Sequence, residues 1–275
     1  MRRTDIINAL VAKGYKAEAK ETIKNGVIFE GILIRNDDII APVIYTEQLL
    51  RDAEEKGKSL SEVVADIIRV YEESRHREIP VEELMNQDRF LNNVFIGLQK
   101  ASEEQLVKEP TEYEGIEAYL YVRGMKDASG IYSVKVTQDY LDHTGVDIKE
   151  AWKAAMENIC GEAEMRNMAS VMADMCGIPE EEMPETDNAL YVVSNRCKIK
   201  GASAILNQNM LRGFAKQHGV SKLVVLPSSI HEMLVLPFDA SIDMDVMSAM
   251  VREINATQVS PEERLTDQAY LIEVR

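Results

Sequence analysis

The segment KLVVLPSSIHEMLVLPFD, residues 222–239, decides how we expect this chain to fold. It contains two apolar runs of strand length, Leu223–Leu226 and Met233–Leu236, in which no polar residue interrupts either face. A strand with one face in water alternates apolar and polar residues, whereas continuous apolar runs are typical of strands covered on both faces. Residues 227–229 between the runs, Pro-Ser-Ser, favour a turn. We therefore predict a buried hairpin with polar side chains at its mouth.

Signals for helices and antiparallel strands alternate along the rest of the chain. The dipeptide Asn25–Gly26 joins two strand-like segments, 15–24 and 27–35, and is a strong signal for a tight hairpin turn. Ser59 and Glu62 form a capping box, which predicts the start of a helix. Hairpins interspersed with helices, without βαβ units, are typical of an α+β fold. We predict antiparallel hairpins and meanders packed with helices, in two or three related subdomains.

Changes in composition divide the chain into predicted segments. The run Glu180–Glu182, with Glu185 and Asp187 after it, combines carboxylates with prolines and has the character of a linker. The predicted segments are an N-terminal α+β module (1–112), a middle strand–helix module (113–178), an acidic linker (179–188) and a C-terminal α+β module that contains the central hairpin (189–275).

The composition is that of a globular protein with an excess of acidic residues. The 275 residues are 45% hydrophobic, and the formal net charge is −16. Nonspecific nucleic-acid binding is not expected, because a phosphate backbone requires a basic surface. The acidity has two interpretations: it maintains solubility, or it forms an acidic face that binds a basic partner or imitates nucleic acid. The second interpretation requires the carboxylates to share one surface, whereas they are spread along the sequence.

Other global features predict a cytoplasmic protein without a membrane partner. No apolar run approaches the roughly 18 residues that a membrane span requires, and the N-terminus lacks the apolar stretch of a signal peptide. The three cysteines, Cys160, Cys176 and Cys197, are too few and too scattered for a disulfide framework or a metal knuckle. We therefore expect a soluble protein of a reducing compartment.

Apolar residues at helical spacing predict three further helices. One contains Phe90, Val94, Phe95 and Leu98. Another spans residues 162–176 and carries on one side Met165, Met168, Met172 and Met175. This stripe has two interpretations, core packing or a partner-binding face, since methionine adapts to varied surfaces. The last helix spans residues 243–254, and its predicted inward-facing residues are Met247, Met250, Val251 and Ile254.

The mouth of the central hairpin holds hydrolase-type side chains. These candidate residues are Ser228, Ser229, His231 and Glu232. A hydroxyl nucleophile requires a base within hydrogen-bond distance and usually lies on a strand–turn–helix elbow, whereas here a strand follows the turn. The polar side chains therefore have three interpretations: they satisfy the turn, they bind a ligand or partner, or they catalyse a hydrolysis.

A second polar cluster lies near the C-terminus. Its members are Asn255, Gln258, Glu262, Glu263 and Asp267. The carboxylates are potential metal ligands, whereas a solvated loop and helix cap is the simpler interpretation. We take Asn195, Asn255 and Gln258 as further ligand or partner candidates. We assign no catalytic residue, no metal site and no cofactor.

Several of these stretches resemble a bacterial protein family of unknown function, family 5688. The matching features are Asn25–Gly26–Val27, Gly31, Ala41–Pro42, Ile44–Tyr45, Tyr191–Asn195, Leu226–Glu232 and residues 251–270. They are distributed over nearly the whole chain, and SSIHE at 228–232 is the most specific of them. The resemblance implies no activity. The frequent location of the family's genes in prophages and mobile elements implies an accessory role.

These observations lead to two hypotheses of different classes. The first is a non-enzymatic protein-interaction or regulatory accessory factor of a bacterial or mobile-element cytoplasm, with a protein as its partner. Good folding signals, strong acidity and the absence of a complete catalytic motif motivate it. The alternative is a hydrolase or metal-dependent enzyme that uses the turn at residues 228–232.

Overall fold

A computed structural model describes residues 1–35, 43–75, 85–127, 130–179 and 190–274. Within these residues the protein has the predicted α+β fold, with helices packed on three antiparallel sheets. The chain divides into two compact units, Met1–Pro80 and Val81–Arg275. The acidic linker predicted at residues 179–188 lies outside the described residues, except for Pro179.

The N-terminal unit contains the predicted hairpin and capped helix. Its elements are α1 (Arg3–Ala12), β1 (Lys16–Lys24), β2 (Val27–Arg35), β3 (Val43–Tyr45), α2 (Thr46–Glu55) and α3 (Leu60–Arg75). Asn25 and Gly26 have φ angles of 49° and 77°, as a tight hairpin turn requires, and pair Lys24 with Val27. The capping box is confirmed, since the Ser59 backbone N–H donates to Glu62 Oε2 at 2.8 Å.

The second unit begins with a four-stranded sheet and the helices around it. Its strands are β4 (Val94–Lys100), β5 (Lys108–Pro110), β6 (Ile116–Asp127) and β7 (Gly130–Lys135), and the helices are α4 (Gln87–Asn93), α5 (Gln138–Thr144) and α6 (Ile148–Glu162). The predicted helix through Leu98 is wrong: α4 ends at Asn93, and Val94–Leu98 form a strand that is buried on both faces. A continuous apolar run is compatible with a buried helix or a buried strand, and here pairing with β6 stabilises the strand.

A five-stranded sheet with the central hairpin at its centre completes the second unit. Its strands are β8 (Ala163–Asn167), β9 (Tyr191–Asn195), β10 (Lys222–Ser229), β11 (Glu232–Pro237) and β12 (Tyr270–Glu273), in the order β12-β10-β11-β9-β8. The run Leu223–Leu226 is buried throughout, as predicted. In β11, Met233 and Val235 are buried, whereas Leu234 and Leu236 are only partly buried. The prediction of cover on both faces therefore holds for β10 and for one face of β11.

The methionine-rich segment is not a single helix. Residues 163–167 form strand β8, and helix α7 (Met168–Cys176) begins behind the Asn167 side chain, whose Oδ1 accepts from Ala169 N at 2.8 Å. Met172 and Met175 are 45% and 79% exposed, so the core interpretation is wrong for these two residues. Because β8 pairs with β9, the predicted middle and C-terminal modules contribute strands to one sheet.

Two further helices pack against this sheet. Helix α8 (Gln208–Gln217) follows a 3-10 turn at Gly201–Leu206, and α9 (Met244–Gln258) precedes a second 3-10 turn at Pro261–Glu263. On α9, Val251 is buried and Met247 is partly buried, as predicted. Met250 and Ile254, also predicted to face inward, are 49% and 48% exposed. The helix is therefore rotated relative to the predicted orientation.

Candidate functional site

The hairpin mouth comprises residues 228–232 together with Asn195, Lys200 and Glu263. Both serines, predicted as turn residues, lie at the end of β10, because β10 continues to Ser229 and the turn is formed by Ile230 and His231. Their hydroxyls bond locally: Ser228 Oγ donates to Glu232 Oε1 at 3.2 Å, and Ser229 Oγ accepts from His231 N at 3.1 Å. The register of β10 and β11 shifts between Pro227 and Ser229, so the chain bulges where these side chains turn inward.

Both ring nitrogens of His231 have partners in the chain. Its Nδ1 accepts from the Lys200 backbone N–H at 3.1 Å, and its Nε2 lies 3.3 Å from Glu263 Oε1. One accepting and one donating nitrogen correspond to an imidazole that carries its proton on Nε2. The imidazole therefore joins the hairpin to the loop before residue 201 and to the turn at 261–263. Neither serine hydroxyl is hydrogen-bonded to it.

Asn195 holds the loop that His231 contacts. This asparagine is 8% exposed, its Oδ1 accepts from Ile199 N at 3.2 Å, and its Nδ2 donates to Ile199 O at 2.9 Å. Within the loop, Lys198 and Lys200 have φ angles of 55° and 52°, a conformation that non-glycine residues adopt at a cost. The hydrogen bonds from Asn195 and His231 hold the loop in this strained form.

Gly201 explains why the loop and the hairpin mouth can approach so closely. A Cβ atom at Gly201 would lie 2.3 Å from Ser194 Oγ, 2.6 Å from Asn195 N and 2.7 Å from His231 O. The Ser194 hydroxyl donates to His231 O at 2.8 Å through the same narrow space. The backbone at Gly201 is thus in direct contact with the hairpin mouth, and the polar groups there bond to one another.

The two candidates on α9 are separate from the mouth. Asn255 is 2% exposed, and its Nδ2 donates to Thr266 O at 3.0 Å and to Asp267 Oδ1 at 2.7 Å. This amide anchors α9 to the segment that leads into β12. Gln258 is exposed at the end of the same helix. The structure therefore brings together Ser228, Ser229, His231, Glu232 and Asn195, but not Asn255 and Gln258.

The structure also groups charged side chains that sequence reasoning missed. Arg123 Nη1 lies 2.9 Å from Glu162 Oε2 and 3.0 Å from Cys197 Sγ, and the guanidinium carbon lies 3.8 Å from the centroid of the Phe95 ring. Burial alone would lower the pKa of Arg123, but the Glu162 carboxylate raises it. The residues of this cluster lie far apart in sequence, and no local motif signals that they meet.

A cleft of about 360 Å³ opens beside strand β5. Its two central charges, Lys108 and Glu117, bond to each other at 3.1 Å, and Glu117 also accepts from Gln99 at 2.8 Å and Ser102 at 2.9 Å. Burial acts to raise the pKa of Glu117, but these hydrogen bonds outweigh it and lower the pKa. As at the hairpin mouth, the polar groups are paired within the protein.

The C-terminal carboxylates that are potential metal ligands do not converge. In the part of the chain that the structure describes, no group of three or more His, Cys, Asp or Glu side chains is placed to hold a metal ion. Glu263 contacts His231, and Asp267 contacts Asn255, so each carboxylate has a different role. None of the described helices has the length and apolar content needed to cross a membrane.

Two helices of the second unit carry groups of exposed apolar side chains, in addition to Ile148 and Met156 on α6. On α7 and just after it they are Met172 (45%), Met175 (79%) and Ile178 (38%), which we call the α7 surface. On α9 they are Val246 (52%), Met250 (49%) and Ile254 (48%), which we call the α9 stripe. The α9 stripe repeats every four residues and so forms one line along the helix. Sequence reasoning placed Met250 and Ile254 in the core and therefore missed this stripe.

The comparisons with known proteins agree with the resemblance noted in the sequence. Residues 3–273 match the model of a "Family of unknown function (DUF5688)". No curated protein and no solved structure matches the chain. Of the matching stretches, 226–232 forms the hairpin mouth and 191–195 forms β9, whereas Ala41–Pro42 lies outside the described residues. Because the family model covers almost the entire sequence, the chain belongs to the family of unknown function DUF5688.

Proposed function

We propose that this protein is a non-enzymatic interaction factor that binds a partner protein through its second unit. The α7 surface is the observation that carries the proposal: Met175 is 79% exposed, next to Met172 and Ile178. Grouped apolar side chains left in water mark interaction sites on soluble proteins. Methionine suits such a site, because its flexible, polarisable side chain adapts to a partner's shape.

The geometry of the hairpin mouth supports a structural role for the most specific motif of the family. A serine nucleophile needs a base that hydrogen-bonds to its hydroxyl. Here the imidazole of His231 bonds instead to Lys200 N and Glu263, and the hydroxyls of Ser228 and Ser229 bond within the hairpin mouth. These contacts favour an accessory role over the alternative, a hydrolase acting through residues 228–232. The proposal includes a regulatory accessory function in the bacterial cytoplasm, either for the host or for a mobile element that it carries.

Affinity capture from the native host tests the proposal. The wild-type protein, the double variant Met172→Glu/Met175→Glu and the control variant Met156→Glu are immobilised, and bound proteins are identified by mass spectrometry. Met156 is 37% exposed on α6, outside the α7 surface, so it controls for a new surface charge. We expect a partner that the wild type and the control retain and the double variant loses.

Two results would contradict the proposal. One is that the double variant captures the same proteins as the wild type, which would remove the α7 surface from the interaction. The other is covalent labelling of Ser228 or Ser229 by a fluorophosphonate probe, which reacts with activated serine hydroxyls. That labelling would establish the hydrolase alternative.

A further inference from the structure

One row of paired residues defines the face of the five-stranded sheet on which α7 and α9 lie. Arg166 on β8 pairs with Val192 on β9, Val192 with Leu234 on β11, and Leu234 with Leu226 on β10. Residues directly opposite each other in antiparallel strands project from the same face. These four side chains therefore stand on one face, and so does Leu236, two residues after Leu234.

Helix α9 covers the β10 part of this face. Val251 packs in one apolar cluster with Val224 and Leu226. On one flank of Val251, Asn255 donates to Thr266 O, and Ser248 Oγ accepts from Ala269 N at 3.0 Å, so this flank faces β12. With about 100° between successive helical residues, the α9 stripe falls on the other flank of Val251. Because β12 and β11 lie on opposite sides of β10, Ile254 and Met250, about 60° and 100° around the helix from Val251, face β11, and Val246, about 140° away, lies nearer the solvent side.

Helix α7 covers the β8 and β9 part of the same face. Arg166 Nη2 on β8 lies 2.6 Å from Asp174 Oδ2 on α7, and Ala173, 3% exposed, is the buried residue of the helix. Asp174 and Met172 lie on opposite flanks of Ala173, each about 100° away. The Asp174 flank faces the edge strand β8, so the Met172 flank faces towards β11.

Strand β11 is covered only in part: Leu234 and Leu236, together with Met247 of α9, pack against the cluster of Val224, Leu226 and Val251. Leu226 and Val192, the neighbours of Leu234 in the row, are each 7% exposed, whereas Leu234 and Leu236 are only partly buried. The result is an apolar groove, the α7–α9 groove, with Leu234 and Leu236 as its floor. Its walls are Met172 on one side and the α9 stripe on the other.

The charges beside the α9 stripe are acidic. Asp243, at the N-terminus of α9, lies in line with the α9 stripe, and Glu253 borders it on the solvent side. Arg252, the basic residue of α9, lies on the opposite flank. Helix α7 contains no Lys or Arg, and its Asp174 is paired with Arg166. The α9 wall therefore places acidic groups beside apolar ones, within a protein of net charge −16.

We propose that the α7–α9 groove binds an amphipathic α-helix of a partner protein, with an apolar face and Lys or Arg along its borders. The apolar face, with side chains at i, i+3, i+4 and i+7, would cover Leu234, Leu236 and the α9 stripe. Basic side chains beside it would pair with Glu253 and Asp243. The proposal rests on the proposed interaction role and adds to it the chemical class of the partner.

A binding experiment with two synthetic helices tests the class of partner directly. One fluorescein-labelled peptide of about 18 residues carries Leu at helical spacing and Lys elsewhere, and the other has the same Leu pattern with Glu in place of Lys. Fluorescence anisotropy measures their affinity for the full-length protein. We expect the Leu/Lys peptide to bind and the Leu/Glu peptide not to bind.

Two sets of variants localise the binding. Met250→Gln/Ile254→Gln, which removes apolar contacts without changing charge, is expected to weaken the Leu/Lys peptide by about tenfold or more. Met156→Gln, a matched exposed methionine on α6, is expected to leave the affinity unchanged. Glu253→Gln is expected to weaken binding and to reduce its dependence on salt, since an ion pair is screened by salt.

The proposal is overturned by equal binding of both peptides, or by a Leu/Lys affinity that Met250→Gln/Ile254→Gln does not change. It is also overturned if light scattering shows a dimer that this variant dissociates, because the occupant is then a second copy of the chain. Capture of a host protein that is lost in the Met172→Glu/Met175→Glu variant, without binding of the Leu/Lys peptide, would refute the basic helix while leaving the interaction role intact.

Discussion

The hairpin mouth and the α7–α9 groove lie on the same pair of strands and use their side chains in opposite ways. At the mouth, the polar groups of Ser228, Ser229 and His231 all have partners within the chain. In the groove, apolar side chains such as Met250 and Leu234 are left partly in water. In the folded chain the polar groups of the mouth have hydrogen-bond partners, whereas the apolar side chains of the groove are not fully buried. Conspicuous polar motifs can therefore be structural, while an ordinary apolar surface is available for binding.

The largest expected effect is on stability, and it differs between the two strands of the hairpin. Leu223→Ala removes a fully buried side chain from β10 and is expected to lower the free energy of unfolding by about 2–5 kcal/mol, through lost burial and a new cavity. Leu236→Ala, in the floor of the groove, is expected to cost less than half as much because its side chain is only partly buried. Chemical denaturation of both variants measures the difference. Equal losses would mean that β11 is covered as completely as β10.

A smaller effect concerns the residue that orients α9. Asn255→Ala leaves Thr266 O and Asp267 Oδ1 without the buried amide that now donates to them, so we expect a loss of about 1–3 kcal/mol. The control Gln258→Ala, exposed at the end of the same helix, should change stability by about 0.5 kcal/mol or less. Because Asn255 determines which flank of α9 faces β11, its variant should also weaken binding of the Leu/Lys peptide. Unchanged binding would contradict this orienting role.

The hairpin mouth should lose stability without losing binding. His231→Ala removes the acceptor of Lys200 N and the contact with Glu263, and we expect it to cost about 1 kcal/mol. Ser229→Ala should behave similarly, since its hydroxyl accepts from His231 N. Thermal melting and the peptide assay are measured on the same samples. Loss of peptide binding with unchanged melting would show that the mouth, and not the groove, is the binding site.

The smallest expected change in stability is in the groove itself. Met250 and Ile254 are about half exposed, so Met250→Gln and Ile254→Gln should each change the free energy of unfolding by about 0.5 kcal/mol or less. Chemical denaturation of these variants provides the comparison with Leu223→Ala. A loss of several kcal/mol would place these residues in the core, as the helical pattern of the sequence predicted.

The candidate site was partly accessible from the sequence. The hairpin was predicted correctly, because turn-forming residues between two apolar runs are a local signal. Its turn was placed too early: residues 227–229 belong to β10, and the turn is formed by Ile230 and His231. The partners of His231 were not predicted. Lys200 lies 31 residues before it and Glu263 32 residues after it, so they contact the imidazole only when the hairpin, the loop before residue 201 and the 3-10 turn at 261–263 come together. Arg123 and Cys197, 74 residues apart, meet for the same reason.

Local chemistry in the sequence determined the elements whose ends carry their own signals. The Asn25–Gly26 turn and the Ser59–Glu62 capping box formed as predicted, since each depends on residues adjacent in sequence. The run Leu223–Leu226 is buried as predicted, because a continuous apolar run is typical of a strand covered on both faces. Tertiary structure alone decided that residues 163–167 are a strand and that Met250 remains half exposed. The first depends on pairing with β9, a strand distant in sequence, and the second on Asn255, which ties α9 to the backbone of Thr266 in the segment that leads into β12. Neither partner is signalled by the residues next to it, so the helical pattern alone could not predict either outcome.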